Sequence, residues 1–306
     1  MSVQQIKDYL TLVRVPNLFT LPSNVLVGYF SSNIYNVIEI NTIILVILSS
    51  ACLYAAGVIF NDIADKQTDR KERPNRPIPS GRITQRSTII LALLLLVISI
   101  TISYFISTAT LIIVLILIAT IVIYDFVLKN SLLGPVAMGV TRLLNILLGA
   151  SPNLSHLIVG QFDYVLYRLF LVCISEFVYV TGITALSKYE ANKIPSFQLG
   201  WFHALLFISP IIIGIYAASI GFFNDTTWIY LFIFGSFILF MLKIATSSKS
   251  MMTDLTLQKI IGLLIVGIII HDAVYIGGSL DSWYLGMCTY VLLVPTILLG
   301  KRFYAT

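Results

Sequence analysis

Charged side chains are the scarcest class in this sequence. Asp, Glu, Lys and Arg make up 11% of its 306 residues, whereas about a quarter of the residues in ordinary soluble domains are charged. Hydrophobic residues reach 58%, and the mean hydropathy is +0.94. These values exclude an ordinary soluble domain and predict a polytopic membrane protein, which we interpret as one domain over residues 1–306.

Cysteine is also rare, and the three residues Cys52, Cys173 and Cys288 lie in apolar segments without paired spacing. This pattern excludes a disulfide framework and a cysteine-based metal site. Basic residues occur in short loops without interleaved aromatic residues, so nucleic acid is not an expected partner. Membrane lipid is the expected surrounding.

Long apolar runs dominate the rest of the sequence. About 20 apolar residues cross a bilayer, and this length predicts ten helices, near 15–33, 42–64, 88–107, 109–127, 132–150, 165–186, 201–221, 228–245, 259–277 and 283–300. With a cytoplasmic N-terminus, 17 of the 19 Lys and Arg residues lie on the cytoplasmic side, as the positive-inside rule requires. The exceptions are Arg142 and Arg168.

A polar segment follows the second apolar run, and in it Asn61, Asp65 and Asp69 recur every four residues. In a helix this spacing aligns the side chains along one stripe, where like charges repel by roughly a few tenths of a kcal/mol. Carboxylate and amide oxygens suit Mg²⁺, which also binds substrate phosphates. Nearby basic residues are placed to hold a diphosphate, namely Arg70, Lys71, Arg73, Arg76 and Arg82. A solvated cytoplasmic loop is the alternative interpretation.

The run N-D-x-x-D-x-x-x-D at 61–69 is followed by R-P-x-R-P-I-P-S-G at 73–81. Together they resemble the first aspartate-rich motif of the UbiA superfamily, whose members are membrane-embedded prenyltransferases. The resemblance implies an all-α bundle of nine to ten transmembrane helices around a central cavity. It also implies that Asn61, Asp65 and Asp69 bind Mg²⁺ and that the substrate diphosphate is bound by Asp62, Arg73, Arg76, Lys129 and Lys188. The segments 134–149, 179–190 and 271–273 look like those of the EboC-like branch.

The second aspartate-rich motif of that family, typically D-x-E-x-D, is altered here. Lys188 and Asn192 stand where aspartates are expected, and Glu190 is the remaining carboxylate. Fewer oxygen donors weaken a second metal site, whereas a lysine contacts phosphate directly. We therefore predict a hybrid site in which Asp65, Asp69 and Lys188 are the catalytic residues.

The segment from Tyr124 to Lys129 resembles the family's Y-x-x-x-K element, but it is one residue longer. Lys129 is a compact cation suited to a phosphate. The alternative is that Lys129 is an ordinary anchor at the cytoplasmic surface of the membrane.

Two charged residues, Arg142 and Glu176, are predicted at similar depth on consecutive antiparallel helices. A charge at the bilayer centre costs about 2.5 to 3.5 kcal/mol on insertion scales, so we expect the two to form a structural pair. The alternative places Arg142, Asn145, Glu176 and Glu190 in the cavity as acceptor-binding residues.

If the resemblance holds, the protein is a Mg²⁺-dependent intramembrane prenyltransferase with a prenyl diphosphate donor and an unidentified acceptor. Its N-terminus and active-site loops are then expected on the cytoplasmic side. The alternative is a UbiA-like lipid-binding or transport protein without turnover, because the second aspartate-rich motif is incomplete. CDP-alcohol phosphotransferases are excluded, since their D-G-x-x-A-R signature needs Asp-Gly and Ala-Arg pairs that the sequence lacks.

Overall fold

The computed structural model describes residues 3–33, 37–154, 159–191, 201–247, 254–279 and 283–303. All regular secondary structure in these ranges is helical, as predicted. The α-helices are α1 (Val3–Leu12), α2 (Val15–Leu18), α3 (Thr20–Ser32), α4 (Ile40–Ala64), α5 (Lys66–Glu72), α6 (Gln85–Ile106), α7 (Thr108–Ile123), α8 (Gly134–Leu154), α9 (Val159–Ala191), α10 (Trp201–Ser219), α11 (Thr227–Ser247), α12 (Asp254–Ser279), α13 (Trp283–Thr289) and α14 (Leu293–Phe303).

Each of the ten predicted segments overlaps a helix, but the count of nine to ten spans is not confirmed. Within the described ranges, seven helical stretches are long and apolar enough to cross a membrane, and the bent unit of α1 with α2–α3 would make eight. The predicted spans in α8 and α10 are not among them. In α8 the polar side chains of Arg142, Asn145 and Asn153 lower the hydropathy, and the apolar stretch His203–Ser219 of α10 is too short to be counted.

The predicted break between α6 and α7 is present at Ser107. This residue has extended backbone geometry, with φ −168° and ψ 160°, and its side chain accepts a hydrogen bond from Thr110 N at 3.1 Å. Ser107 therefore caps the N-terminus of α7 and separates two spans that are both strongly apolar.

The helices divide into inner and outer members. In the most apolar part of α4, α9 and α12, 56%, 67% and 72% of the residues are buried, against 17% in α6 and 28% in α11. Because a bilayer solvates apolar side chains, the exposed Leu, Ile and Phe residues of the outer helices suit a lipid surface. The buried polar residues Asn24, Asp62, Asn145, Glu176 and Asp272 lie on α3, α4, α8, α9 and α12, respectively.

Helices α3 and α8 approach each other closely because glycines lie in their interface. A Cβ atom added to Gly28 would lie 1.9 Å from Ile146 O, and one added to Gly149 would lie 2.2 Å from Val25 O. Small residues allow such close backbone contact between membrane helices. The contact fixes the part of α3 that carries Asn24 against the part of α8 that carries Arg142.

Candidate active site

The polar segment after α4 keeps a helical path into α5. The backbone N–H of Asp65 donates to Asn61 O, that of Asp69 to Asp65 O and that of Arg73 to Asp69 O, each at 2.9 Å. The predicted one-turn spacing of Asn61, Asp65 and Asp69 is therefore present in the backbone. Asp62 and Asp69 are only 5% and 3% exposed, so two carboxylates of the segment are withdrawn from solvent.

Arg76 bridges two of these carboxylates. Its Nη1 atom lies 2.7 Å from Asp69 Oδ2 and 3.5 Å from Asp62 Oδ1. Arg73 Nη1 lies 4.0 Å from Asp69 Oδ1. Asp62 and Asp69 are about two helical turns apart, so both side chains face the same basic residue. The predicted diphosphate-binding residues Asp62, Arg73 and Arg76 thus lie together, and their role toward a diphosphate stays a prediction.

Arg14 also contacts Asp62, and the sequence did not identify it as a site residue. Its Nη2 atom lies 2.9 Å from Asp62 Oδ1. Its φ of 48° and ψ of 56° are left-handed, a conformation that costs free energy for residues other than glycine. Arg14 marks the 53° bend after α1. The available sequence signal was Pro16, because proline favours the first turn of a new helix and so places Arg14 at a break.

Two contacts connect the polar segment to the end of α7. Lys129 Nζ forms an ion pair with Asp65 Oδ2, and Asn61 Nδ2 donates to Asp125 Oδ1 at 3.2 Å. Asp125 is 6% exposed and was not predicted as a site residue. Lys129 therefore lies among the aspartates, and its role toward a phosphate stays a prediction.

A π-helical turn at Tyr124–Leu128 accommodates the additional residue between Tyr124 and Lys129. The backbone N–H of Lys129 donates to Tyr124 O, five residues earlier, at 2.8 Å. Since a π turn holds one residue more than an α-helical turn, Lys129 still follows Tyr124 by one turn. The longer spacing therefore does not remove Lys129 from the site, and the same turn carries Asp125.

Lys188, the predicted phosphate clamp, contacts the backbone in this structure. Its Nζ atom donates to Ser131 O, two residues after Lys129 in the connection to α8. The side chain of Glu190 and the whole of Asn192 lie outside the described residues. Of the three motif residues Lys188, Glu190 and Asn192, the structure describes the side chain of Lys188 alone. The catalytic role of Lys188 stays a prediction.

A second polar group lies inside the bundle, formed by Asn24, Glu176, His271 and Asp272, and we call it the buried cluster. Asn24 Nδ2 lies 3.2 Å from Glu176 Oε1 and 2.8 Å from Asp272 Oδ2. His271 Nδ1 lies 3.0 Å from Glu176 Oε2 and 3.4 Å from Asp272 Oδ1. All four residues are at most 1% exposed, so the cluster joins α3, α9 and α12 away from solvent.

The expected direct pair of Arg142 and Glu176 is wrong. Arg142 Nη1 donates to Asn24 Oδ1 at 3.0 Å, so the Asn24 amide lies between the guanidinium and the Glu176 carboxylate. Sequence position predicts depth in the membrane but not the rotation of each helix, which decides the contact.

Asn145, another acceptor candidate, is 5% exposed and accepts from Ser50 Oγ at 2.6 Å. It links α8 to α4, and its role toward an acceptor is untested.

A small apolar cleft lies between α9, α10, α11 and α12. Its lining consists of Leu186, Phe207, Ile238, Met241, Leu242, Ala245, Ile260 and Leu264. Among the described residues no ionisable side chain lines it, so its described wall is apolar and offers no ligand for a diphosphate. Leu186 precedes Lys188 by two residues on α9, which places the cleft close to the predicted clamp.

The fold is similar to solved structures of UbiA homologues. One is the apo form of a homologue from Aeropyrum pernix K1, with a TM-score of 0.69 and 16% identity over 84% of this chain and 96% of that chain. Another is a homologue from Archaeoglobus fulgidus bound to GPP and Mg²⁺, with a TM-score of 0.61 and 16% identity over 88% of this chain and 99% of that chain. Identities this low establish the fold alone.

Sequence comparison indicates the same family. The chain is 34% identical over 98 residues to a digeranylgeranylglyceryl phosphate synthase of Sulfurisphaera tokodaii. The match spans 32% of this chain and 35% of that relative, so it covers about a third of either protein. The family model of the UbiA prenyltransferases matches residues 23–252, well over half of the 306 residues. This chain therefore belongs to the UbiA prenyltransferase family.

Proposed function

We propose that this protein transfers a prenyl group from a prenyl diphosphate to an acceptor inside the membrane, with Mg²⁺ as cofactor and residues 1–306 as one catalytic unit. The observation that carries the proposal is the convergence of acidic, amide and basic side chains where α4, α5 and α7 meet. The group consists of Asn61, Asp62, Asp65, Asp69 and Asp125 with Arg14, Arg73, Arg76 and Lys129.

The residues fit the proposed metal because all its candidate ligands are oxygen donors. Asn61, Asp65 and Asp69 would hold Mg²⁺, which prefers a few protein carboxylates and completes its coordination with water and phosphate oxygens. When bound, the metal would supply charge neutralisation on the diphosphate leaving group. No Cys or His lies among these contacts, so the site favours a hard cation over a softer transition metal.

The basic residues provide the second part of the mechanism. Arg14, Arg76 and Lys129 each contact an aspartate of the segment, so their charges lie beside the place proposed for the diphosphate. The bond between the prenyl carbon and the diphosphate oxygen breaks, and both electrons leave with the diphosphate. These cations stabilise the charge that develops on it. The acceptor nucleophile then bonds to the prenyl carbon and loses its proton.

The acceptor we propose is a glycerophosphate-type lipid. The supporting observation is the similarity to the digeranylgeranylglyceryl phosphate synthase of Sulfurisphaera tokodaii, whose name contains a glyceryl phosphate. A free hydroxyl of such an acceptor would be the nucleophile and would release its proton when the ether bond forms. The distribution of Lys and Arg supports a site on the cytoplasmic side.

The test is a direct assay of the purified full-length protein with Mg²⁺, an alkylated glycerol phosphate and prenyl diphosphates of five to twenty carbons. We expect pyrophosphate and the prenylated acceptor to form together. Asp65→Ala should abolish both products because it removes a metal ligand. Asp163→Ala is the matched control, since Asp163 is an exposed carboxylate outside the polar segment, and it should retain full activity.

A protein that binds prenyl diphosphate but releases no pyrophosphate with any donor would contradict the proposal. That result would support the alternative of a UbiA-like lipid-binding or transport protein, which the altered second motif suggests. If Asp65→Ala retained wild-type turnover, the polar segment would not be the site of prenyl transfer.

A further inference from the structure

We propose that Arg142 forms an anion-binding site deeper in the membrane than the aspartates, and that this site receives the phosphate of the acceptor. The proposal rests on the proposed function, because it specifies the acceptor as an anion. Asn24 acts as the positioning residue that orients the Arg142 guanidinium. The observations that support it are the depth of Arg142, its contact with a neutral amide and the contact of the nearby carboxylates with His271 instead of Arg142.

The positions of Arg142 and Tyr54 along their helices give the depth of Arg142 relative to the aspartates. Arg142 follows the start of α8 at Gly134 by eight residues, about 12 Å along the helix, and Tyr54 is within electrostatic reach of both Arg14 and Arg142. It precedes Asp62 by eight residues on α4, which corresponds to about 12 Å along a helix at 1.5 Å per residue. The side chains of Arg14, Tyr54 and Arg142 are all partly accessible. A donor headgroup at the aspartates and an acceptor headgroup at Arg142 would therefore be adjacent but separate.

The contact between Arg142 and Asn24 leaves the positive charge of Arg142 available. Arg142 donates to Asn24 Oδ1 at 3.0 Å, and among the described side chains no ion pair joins it to a carboxylate. A guanidinium has five N–H donors in a planar arrangement that suits phosphate oxygens. The hydrogen bond to the Asn24 amide satisfies a small part of that capacity.

The buried cluster fixes the orientation of Asn24. The Nδ2 group of Asn24 donates to both Glu176 and Asp272 at 3.2 and 2.8 Å. A carboxylate accepts hydrogen bonds, so the NH₂ group must face these two residues and the oxygen must face Arg142. The amide thus separates the cation from the carboxylates that would otherwise neutralise it.

The two carboxylates of the cluster have another partner. His271 Nδ1 lies 3.0 Å from Glu176 Oε2 and 3.4 Å from Asp272 Oδ1, while His271 Nε2 lies 2.8 Å from Ser175 Oγ. A purely structural arginine at this depth would be expected to pair directly with a carboxylate, because an uncompensated charge in the bilayer is costly. His271 lies next to both carboxylates, but one imidazolium balances only one of them, so the charge of Arg142 balances the other through the Asn24 amide. Arg142 makes no direct ion pair there, and its remaining N–H donors are available to an anion that is not part of the chain.

The experiment compares two probes that differ only in the phosphate, 1-O-hexadecylglycerol 3-phosphate and 1-O-hexadecylglycerol. Binding of each to the purified full-length protein is measured by calorimetry and by the shift in unfolding temperature. The wild type should bind the phosphate probe more tightly than the alcohol. Arg142→Gln should lose roughly tenfold or more in affinity for the phosphate probe and bind the alcohol unchanged. Arg142→Lys, which keeps the charge, should restore part of the preference.

Arg86→Gln is the matched control, because Arg86 is an exposed arginine on α6. The probe preference of this variant should equal that of the wild type.

The inference is overturned if the wild type does not distinguish the probes, or if Arg142→Gln keeps the wild-type preference. Arg142→Gln should also retain Mg²⁺-dependent binding of a prenyl diphosphate, and loss of that binding would assign Arg142 to the donor site instead. If Arg142→Gln fails to fold, Arg142→Lys provides the test, because an ammonium without the planar guanidinium should weaken the preference for the phosphate probe, and an unchanged preference in this variant would overturn the inference. If the probes bind as expected but the protein releases no pyrophosphate, the proposed function is refuted and the anion site is not.

Discussion

The amide nitrogen of Asn61 lies 3.2 Å from Asp125 Oδ1, and this contact fixes the direction of the Asn61 side chain. A carboxylate accepts hydrogen bonds, so the NH₂ group faces Asp125 and the carbonyl oxygen points away from it. Residues that orient a metal ligand in this way typically contribute 10- to 100-fold to metal affinity. We expect Asp125→Ala to weaken Mn²⁺ binding, used in place of Mg²⁺, by about 10- to 100-fold in spin-resonance titrations of the purified protein.

A double-mutant cycle determines whether Asp125 acts through Asn61. In an Asn61→Ala protein, the further change Asp125→Ala should alter metal affinity little, because the amide it orients is already absent. Full additivity of the two losses would instead make Asp125 an independent contributor. The unfolding temperature of each variant without metal shows whether the fold has kept its stability.

A second prediction concerns Arg76, which lies between Asp62 and Asp69. Arg76→Gln should lower the free energy of unfolding in the absence of Mg²⁺ by about 1–3 kcal/mol, since buried carboxylates lose a hydrogen-bonding cation. Added Mg²⁺ should then raise the unfolding temperature more in this variant than in the wild type, because the metal replaces the lost charge. Thermal unfolding in detergent with and without Mg²⁺ measures both effects.

The control for Arg76 is Arg86→Gln. Arg86 is exposed on α6, and no ion pair joins it to a described carboxylate. Its loss leaves no buried carboxylate without a cation, so the variant should unfold close to the wild-type temperature with the wild-type response to Mg²⁺. If the two variants unfold at the same temperature and respond equally to Mg²⁺, the bridge that Arg76 forms between Asp62 and Asp69 does not stabilise the protein.

Local patterns in the sequence predicted the helices and the repeat of Asn61, Asp65 and Asp69, because both depend on spacing along a single helix. The contacts of Arg14 with Asp62 and of Asn24 with Asp272 span 48 and 248 residues. No local periodicity reports such contacts, since they depend on how helices rotate and pack. The mistaken pairing of Arg142 with Glu176 has the same cause. The sequence shows one residue more between Tyr124 and Lys129 than the family element has, but only the structure shows that a π turn accommodates it.

The close contact of α3 with α8 gives a third prediction. Gly28→Ala would place a Cβ atom 1.9 Å from Ile146 O and 2.8 Å from Ala150 N. These are backbone atoms, so the helices must separate, and we expect a loss of roughly 1–3 kcal/mol or more in stability. Gly262→Ala is the control, because a Cβ there meets no atom within 4 Å. Equal unfolding temperatures for the two variants would show that α3 and α8 are not in close contact.

The last prediction tests the hybrid site through Lys188. An ammonium in place of a family aspartate repels a second metal ion, whereas it can bind a phosphate oxygen directly, and a charge-assisted hydrogen bond contributes about 1.5–3 kcal/mol. Lys188→Ala should therefore weaken prenyl diphosphate binding roughly tenfold or more and leave Mn²⁺ binding at the Asn61 segment unchanged. Lys259→Ala, at an exposed lysine of α12, should alter neither quantity. Because Nζ of Lys188 is held by Ser131 O, it must exchange this backbone acceptor for phosphate. A requirement for two metal ions, together with wild-type diphosphate affinity in Lys188→Ala, would show that the lysine does not replace the missing carboxylates.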